Sequence, residues 1–278
     1  MYSLYLLKKH HPQRFEEIST RSHNPEWLAK IVADPDNDEI RLAYARALRE
    51  SRDPVENSCG TYIVQAIDVS RDLHCWQRHE SHLWLPKLPE GITIEGWEFW
   101  RGFLTLIALN VQNCPFLDDP VAVLDLAPIQ HLNIYCATKQ QTALVVTAPW
   151  LARLKSLSIS ACSEEDGPDD EEIARLIACP HAKNLCWLEV MGSKNFTKTG
   201  IEALAKATVE GKLCLDEVRL DNCKDDPHER LWEDQGVVVG SDMPEFGKDL
   251  ELRYGRIEWL HPRVEAGRCF PRSRFGGL

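Results

Sequence analysis

Three imidazoles and a thiol fall within nine residues at His74, Cys75, His79 and His82. Nitrogen and sulfur donors of this kind suit a tetrahedral zinc ion when one helix face or turn gathers them. The spacing fits no standard finger, and no second Cys/His cluster completes a ligand set. Trp76 and Trp84 in the same segment suit packing, so surface histidines on a loop or helix end are the simpler reading, and a metal-dependent or hydrolytic enzyme using the His74–His82 cluster is the alternative. No G-x-S-x-G elbow, phosphate-cradling G-x-x-x-x-G-K-[ST] loop or H-E-x-x-H pair is present. Asp225 and Asp226 are adjacent carboxylates in a polar loop, where nothing argues for burial and a shifted pKa. The sequence therefore gives catalysis no positive support and implies no cofactor and no metal.

A repeated phrase says more about what holds the chain together. L-x-x-L-x-L-x-x-C occurs in some form at Leu106-Leu109-Val111-Cys114, Ile129-Leu132-Ile134-Ala137, Leu154-Leu157-Ile159-Cys162, Leu185-Leu188-Val190-Ser193 and Leu215-Val218-Leu220-Cys223. Its central residues, Leu109, Leu132, Leu157, Leu188 and Val218, are spaced 23, 25, 31 and 30 residues apart. This is the leucine-rich-repeat signature. Within each phrase the apolar residues alternate with period 2, which predicts a short strand with one face inward. The last position is where a small, weakly hydrogen-bonding side chain is buried beneath the loop that leaves the strand. Helical returns are predicted over Asp169–Ala178, with Ile173, Leu176 and Ile177 at helical spacing, and over Thr199–Ala207, with Ile201, Leu204 and Ala205. One unit cannot bury its apolar face alone, so five stacked units share a core and need caps at both ends.

The alternation also predicts which side chains face outward from the strands. They form three columns: Ala108, His131, Ser156, Trp187 and Glu217; Asn110, Asn133, Ser158, Glu189 and Arg219; and Gln112, Tyr135, Ser160, Met191 and Asp221. Large Tyr135, Trp187 and Met191 among small polar neighbours have the composition of an interface anchor. The expected partner is a folded protein or a peptide on this concave face, with Trp187 covered by the C-terminal segment as the competing reading.

Ahead of the repeats, Asn24 is a natural N-cap and Pro25 a natural first helical residue for an amphipathic stretch with Trp27, Leu28, Ile31 and Val32 that ends at Ala33. A polar turn, Asp34-Pro35-Asp36-Asn37-Asp38, leads to a second predicted helix over Glu39–Glu50, and a third is expected over Thr61–Leu73. The run WLAKIVADPDNDEIRLAYARALRESRDP, residues 27 to 54, resembles the bacterial repeat-companion domain, whose members carry a P-x-D-D-x-x-R-L-x-Y-A-D-W-L-E-E-x-G-D-P type of segment. Arg101-Gly102-Phe103 matches a recurrent RGF there, and Ala148–Leu157 and Thr199–Ala205 are in the style of the repeats that follow such domains. Arg46-Ala47 stands where that family has Asp-Trp, and Arg52 where it has Gly. The resemblance implies an architecture, a small helical domain followed by repeats, and no chemistry.

Composition sets the outer bounds. The chain has 278 residues, 44% of them hydrophobic, enough for a substantial core in one elongated or two smaller domains. No apolar run approaches the length of a bilayer span, and the short apolar stretch in MYSLYLLKKHHPQ is followed by its basic residues, unlike a secretory signal. A cytoplasmic location is expected, and the ten cysteines, with no C-x-x-C pair, read as free buried thiols.

A net charge of -11 disfavours nucleic acid and its phosphate backbone. The charge is uneven. Glu164–Glu172 holds seven carboxylates in nine residues, read as a solvated loop entering a helix N-terminus in preference to a calcium loop, while the chain from Arg253 onward holds six arginines and two acids. Either block could be a second contact site for an acidic or basic partner.

Together these readings predict an α/β fold: an N-terminal small helical domain followed by a short leucine-rich-repeat solenoid with parallel strands inside and helices or loops outside. The expected divisions are an N-terminal extension (1–24), the helical companion domain (25–100), the solenoid (101–225), an irregular C-terminal cap (226–262) with β-like stretches at Val237–Val239 and Leu250–Tyr254, and a basic tail (263–278). The expected function is noncatalytic protein–protein interaction, as a scaffold or regulatory subunit.

Overall fold

Asn24 starts the first helix as its residue type predicts. Its side chain accepts from the amides of Glu26 at 3.0 Å and Trp27 at 3.3 Å, two donors that helical geometry leaves without partners. The structure is a computed structural model and describes residues 23–68, 86–163, 165–193, 195–221 and 245–261. Helix α1 spans Pro25–Ala33 and α2 spans Asp38–Arg49, the latter capped by Asn37, whose side chain accepts from Glu39 and Ile40. Helix α3 spans Pro54–Asp68, so it begins seven residues before the expected Thr61. The polar stretch Glu56-Asn57-Ser58 is helical because Asn57 spends its side-chain amide on the Arg49 carbonyl at 2.5 Å and not on its own backbone. The expected end of this helix at Leu73 lies outside the described residues, as does the His74–His82 cluster.

The chain divides into two units, Met1–Ala108 with Asp118–Gln130, and Leu109–Leu117 with His131–Leu278. In the first, Ile31, Tyr44, Ala45, Leu48, Cys59, Ile63 and Phe103 form the core. Phe103 follows the turn that joins β1 (Ile94–Trp100) to β2 (Phe103–Asn110). Arg101 (φ 51°) and Gly102 (φ 84°) both lie in the left-handed region, the two-residue hairpin geometry that needs positive φ at both positions. Gly102 is also sterically required, since a Cβ there would stand 2.7 Å from Ile63 Cγ1. Helix α4 spans Pro120–Leu124.

The second unit alternates strand and helix: β3 (His131–Ala137), α5 (Lys139–Val146), β4 (Ser156–Ala161), α6 (Asp170–Ala178), β5 (Trp187–Met191), α7 (Lys198–Val209) and β6 (Glu217–Asp221). Short 3-10 turns at Pro149–Arg153 and Pro180–Asn184 lead into β4 and β5. The fold is mixed α/β, with a six-stranded, mostly parallel sheet in the order β1-β2-β3-β4-β5-β6 and eight α-helices among the described residues. Leu132, Leu157, Leu188 and Val218 sit level across β3 to β6, as do Ile134, Ile159, Val190 and Leu220, and all eight are buried. Truncating one of these leucines to alanine costs about 2–5 kcal/mol, because a close-packed ladder cannot collapse around the gap.

The last four carboxylates of the acidic block, Asp169 to Glu172, sit at a helix start. Asp169 caps α6 by accepting from Glu171 and Glu172, Glu172 returns to the Asp169 amide, and Lys139 at the start of α5 pairs with Asp169. Burial would raise Asp169, but hydrogen bonds with Glu172, Lys139 and the two amides hold its carboxyl well below the usual range. Burial, with the contact to Asp169, pushes Glu172 up. Helix α8 spans Glu245–Tyr254, and a 3-10 turn spans Glu258–Leu260. The expected strand at Leu250–Tyr254 is therefore a helix: Arg253 and Tyr254 both reach Glu202 on α7, while Leu250, Ile257, Trp259 and Leu260 are buried. Val237–Val239 lies outside the described residues.

Candidate functional site

Each strand of the second unit turns alternate side chains to opposite sheet faces, and the parallel register decides which of them meet. His131 stands level with Ser156, Ser156 with Trp187, and Trp187 with Glu217. Asn133, Ser158, Glu189 and Arg219 form the next row, followed by Ser160, Met191 and Asp221. Three rows expected from the alternation are thus physical rows across β4, β5 and β6. On β3 the third row breaks. Cys136 takes φ 55°, the register with β4 slips between Ile134 and Ala137, and Ala137 pairs with Ala161. The Tyr135 carbonyl accepts from the Val111 amide. A single extra residue at a strand end leaves no mark in an apolar alternation, which is why the sequence did not reveal it.

Neighbouring strands tie these rows together. His131 Nδ1 lies 2.9 Å from Ser156 Oγ, and Ser158 Oγ donates to Glu189 Oε2 at 2.6 Å. Arg219 Nε donates to Glu217 Oε1 at 2.7 Å, with its guanidinium 5.5 Å from the Trp187 ring centre. This is the distance at which a cation gains from an aromatic face. His131, Asn133, Ser156, Ser158, Trp187 and Glu189 are all buried, none more than 9% exposed. Tyr135, Ser160, Met191, Glu217 and Arg219 are partly exposed. The accessible chemistry of the face is therefore an aromatic ring, a thioether, a hydroxyl and one Arg–Glu pair.

The alternation gives the rows across β4, β5 and β6, but it does not state that cross-strand hydrogen bonds and burial take up His131, Ser156, Ser158 and Glu189 within the first two. His131 and Ser156 are a base beside a hydroxyl, the beginning of a nucleophilic pair. Their burial, at 5% and 3% exposure, keeps substrate away from the oxygen.

The positions after each strand behave unequally. Ser193 is buried and donates to the Pro168 carbonyl at 2.7 Å, the role expected of a small residue beneath the loop. Cys114 and Ala137 are buried as well. Cys162 departs from the expectation of a buried thiol. It is exposed, its Sγ donating to the Cys136 carbonyl, because the bulge at Cys136 moves that carbonyl to the strand end. Cys214 is also exposed, and all seven cysteines in the described residues are free. Among the described residues no group of three or more His, Cys, Asp or Glu side chains could hold a metal ion, and no helix is long and apolar enough to cross a membrane.

No family model, curated protein or solved structure matches the chain.

Proposed function

We propose that the strand-and-helix unit is a short leucine-rich-repeat solenoid and that the protein is a noncatalytic, cytoplasmic interaction module, a scaffold or regulatory subunit that grips a protein or peptide on the sheet face bearing these rows. The observation that carries this reading is the register. Met191 stands level with Ser160 and Asp221, and Arg219 with Glu189, so β4, β5 and β6 contribute to one surface and not to separate ones. Such a surface suits an extended partner better than a small substrate. It offers a partly exposed aromatic, a thioether and an ion pair, and its buried His131, Ser156, Ser158 and Glu189 are already hydrogen-bonded. The buried rows then serve as the rigid floor that holds Tyr135, Met191 and Arg219 in place.

The test is affinity purification of the intact protein from its native cells, beside a Tyr135→Ala/Met191→Ala variant, with mass spectrometry of both. These two side chains are partly exposed, so their loss leaves the folding core intact. A protein enriched by the wild type and lost with the variant, at unchanged melting temperature, supports the reading. Equal enrichment by both removes this face as the binding surface.

A further inference from the structure

Arg41 on α2 is 1% exposed, yet its Nε and both terminal nitrogens find no hydrogen-bond acceptor among the described residues. Its closest carboxylate oxygen, Asp38 Oδ1, is 3.8 Å from Nη1, and that oxygen already accepts from Arg101 Nη1 at 3.0 Å. Arg101 Nε is likewise buried without an acceptor. Two guanidiniums thus converge on one carboxylate oxygen. The Phe103 ring, 5.5 Å from the Arg41 guanidinium, covers a face of the cation and satisfies none of the donors along its edge. Burial and the charge of Arg101 lower the Arg41 pKa to about 10, so it remains a cation at neutral pH. Native interiors satisfy nearly all buried polar atoms, and an under-neutralised buried cation is costly enough to need an explanation.

We propose that Arg41 and Arg101 form a binding site for a phosphate-type oxyanion, which takes the place of the Asp38 carboxylate between the two guanidiniums. The guanidinium fork is matched to tetrahedral and planar oxyanions, and Asp38 Oδ1 marks where one of their oxygens sits. The Asp38 side chain is 37% exposed and that of Arg101 is 25% exposed, so the carboxylate turns out to water and opens the approach. The site lies at the start of a twelve-residue helix, where the dipole favours negative charge. Asp34 and Asp36 oppose an anion, but both are exposed and screened by solvent, whereas Arg41 is not. A monoanionic carboxylate would only repeat the charge of Asp38. A phosphate dianion adds a second negative charge for the second guanidinium and more acceptor oxygens, and this selects the phosphate class.

Thermal denaturation of the full chain in rising inorganic phosphate, against sodium chloride of matched ionic strength, tests the site. A second arm with O-phosphoserine distinguishes a free ion from a phosphorylated ligand. The wild type should show a saturable rise in melting temperature of a few degrees in at least one arm. Arg101→Gly should abolish the rise and still fold, because residue 101 has positive φ and glycine favours that turn. Arg41→Gln should abolish it too. No saturable rise in the wild type in either arm, or an equal rise in Arg101→Gly, overturns the proposal.

Discussion

Asp170, the first residue of α6, caps the helix that follows it: its carboxylate accepts from the Thr197 amide at 2.9 Å, the Thr197 hydroxyl at 2.6 Å and the Gly200 amide at 3.1 Å. Thr197 is the N-cap of α7, so one side chain ties two successive strand-helix units together where two helix dipoles start. Asp170→Ala removes the acceptor of all three donors, and the expected cost is about 2 kcal/mol. Asp170→Asn keeps an oxygen and should recover part of that loss. Urea denaturation of the two variants checks the order, and equal stability of wild type and Asp170→Ala would show that the contact contributes nothing.

Gly200 lies in the first turn of α7, where replacing glycine by alanine ordinarily stabilises a helix by up to about 1 kcal/mol. Here the sign should reverse. A Cβ at Gly200 would stand 2.5 Å from Asp170 Oδ1 and 2.6 Å from a ring carbon of Phe196, which is fully buried and cannot withdraw. Gly200→Ala is therefore expected to lower the melting temperature, and a higher one would mean that Asp170 is displaced at no cost.

How much of this was legible beforehand depended on whether the signal was local. The N-cap Asn24, the strands β3 to β6 and, to within two residues, the ends of α6 and α7 follow from residue type and spacing. Leu250–Tyr254 misled because a leucine-glutamate-leucine alternation fits a short strand as well as a helix, and the contacts of Arg253 and Tyr254 with Glu202, fifty residues away in sequence, decide for helix. The rows across β4, β5 and β6 were legible because a parallel register preserves them. Their burial was not, since no sequence pattern states which of two sheet faces is covered.

Ser158 and Glu189 test whether that face is a rigid floor. Ser158→Ala takes a donor from a carboxylate that is 9% exposed, and a hydrogen bond to a charged group is worth about 1.5–3 kcal/mol. Glu189→Gln weakens the same bond from the other side. In a double-mutant cycle followed by chemical denaturation, the coupling between the two should exceed about 1 kcal/mol. Strict additivity would mean that the two side chains are neighbours without being partners.

Acid should unfold the helical unit earlier than its carboxylates alone require, and the cause is His23. Its Nδ1 lies 3.2 Å from the Tyr44 hydroxyl, and its ring packs 5.1 Å from Phe103, so burial lowers its pKa from 6.5 to about 4. The unfolded chain then binds a proton that the folded one refuses between those two values, and linkage makes stability fall as the pH drops from about 6.5 to about 4. His23 is partly exposed, which reduces the full effect to about 1–3 kcal/mol. The Tyr44 hydroxyl, itself pushed up by burial to about 12, stays protonated throughout and contributes no slope in this range. His23→Gln cannot titrate, so its stability should be flatter than that of the wild type between pH 4 and 6.5, with the two profiles differing in slope only inside that window. Parallel profiles across the window would show that His23 takes its proton without unfolding the contacts around Tyr44.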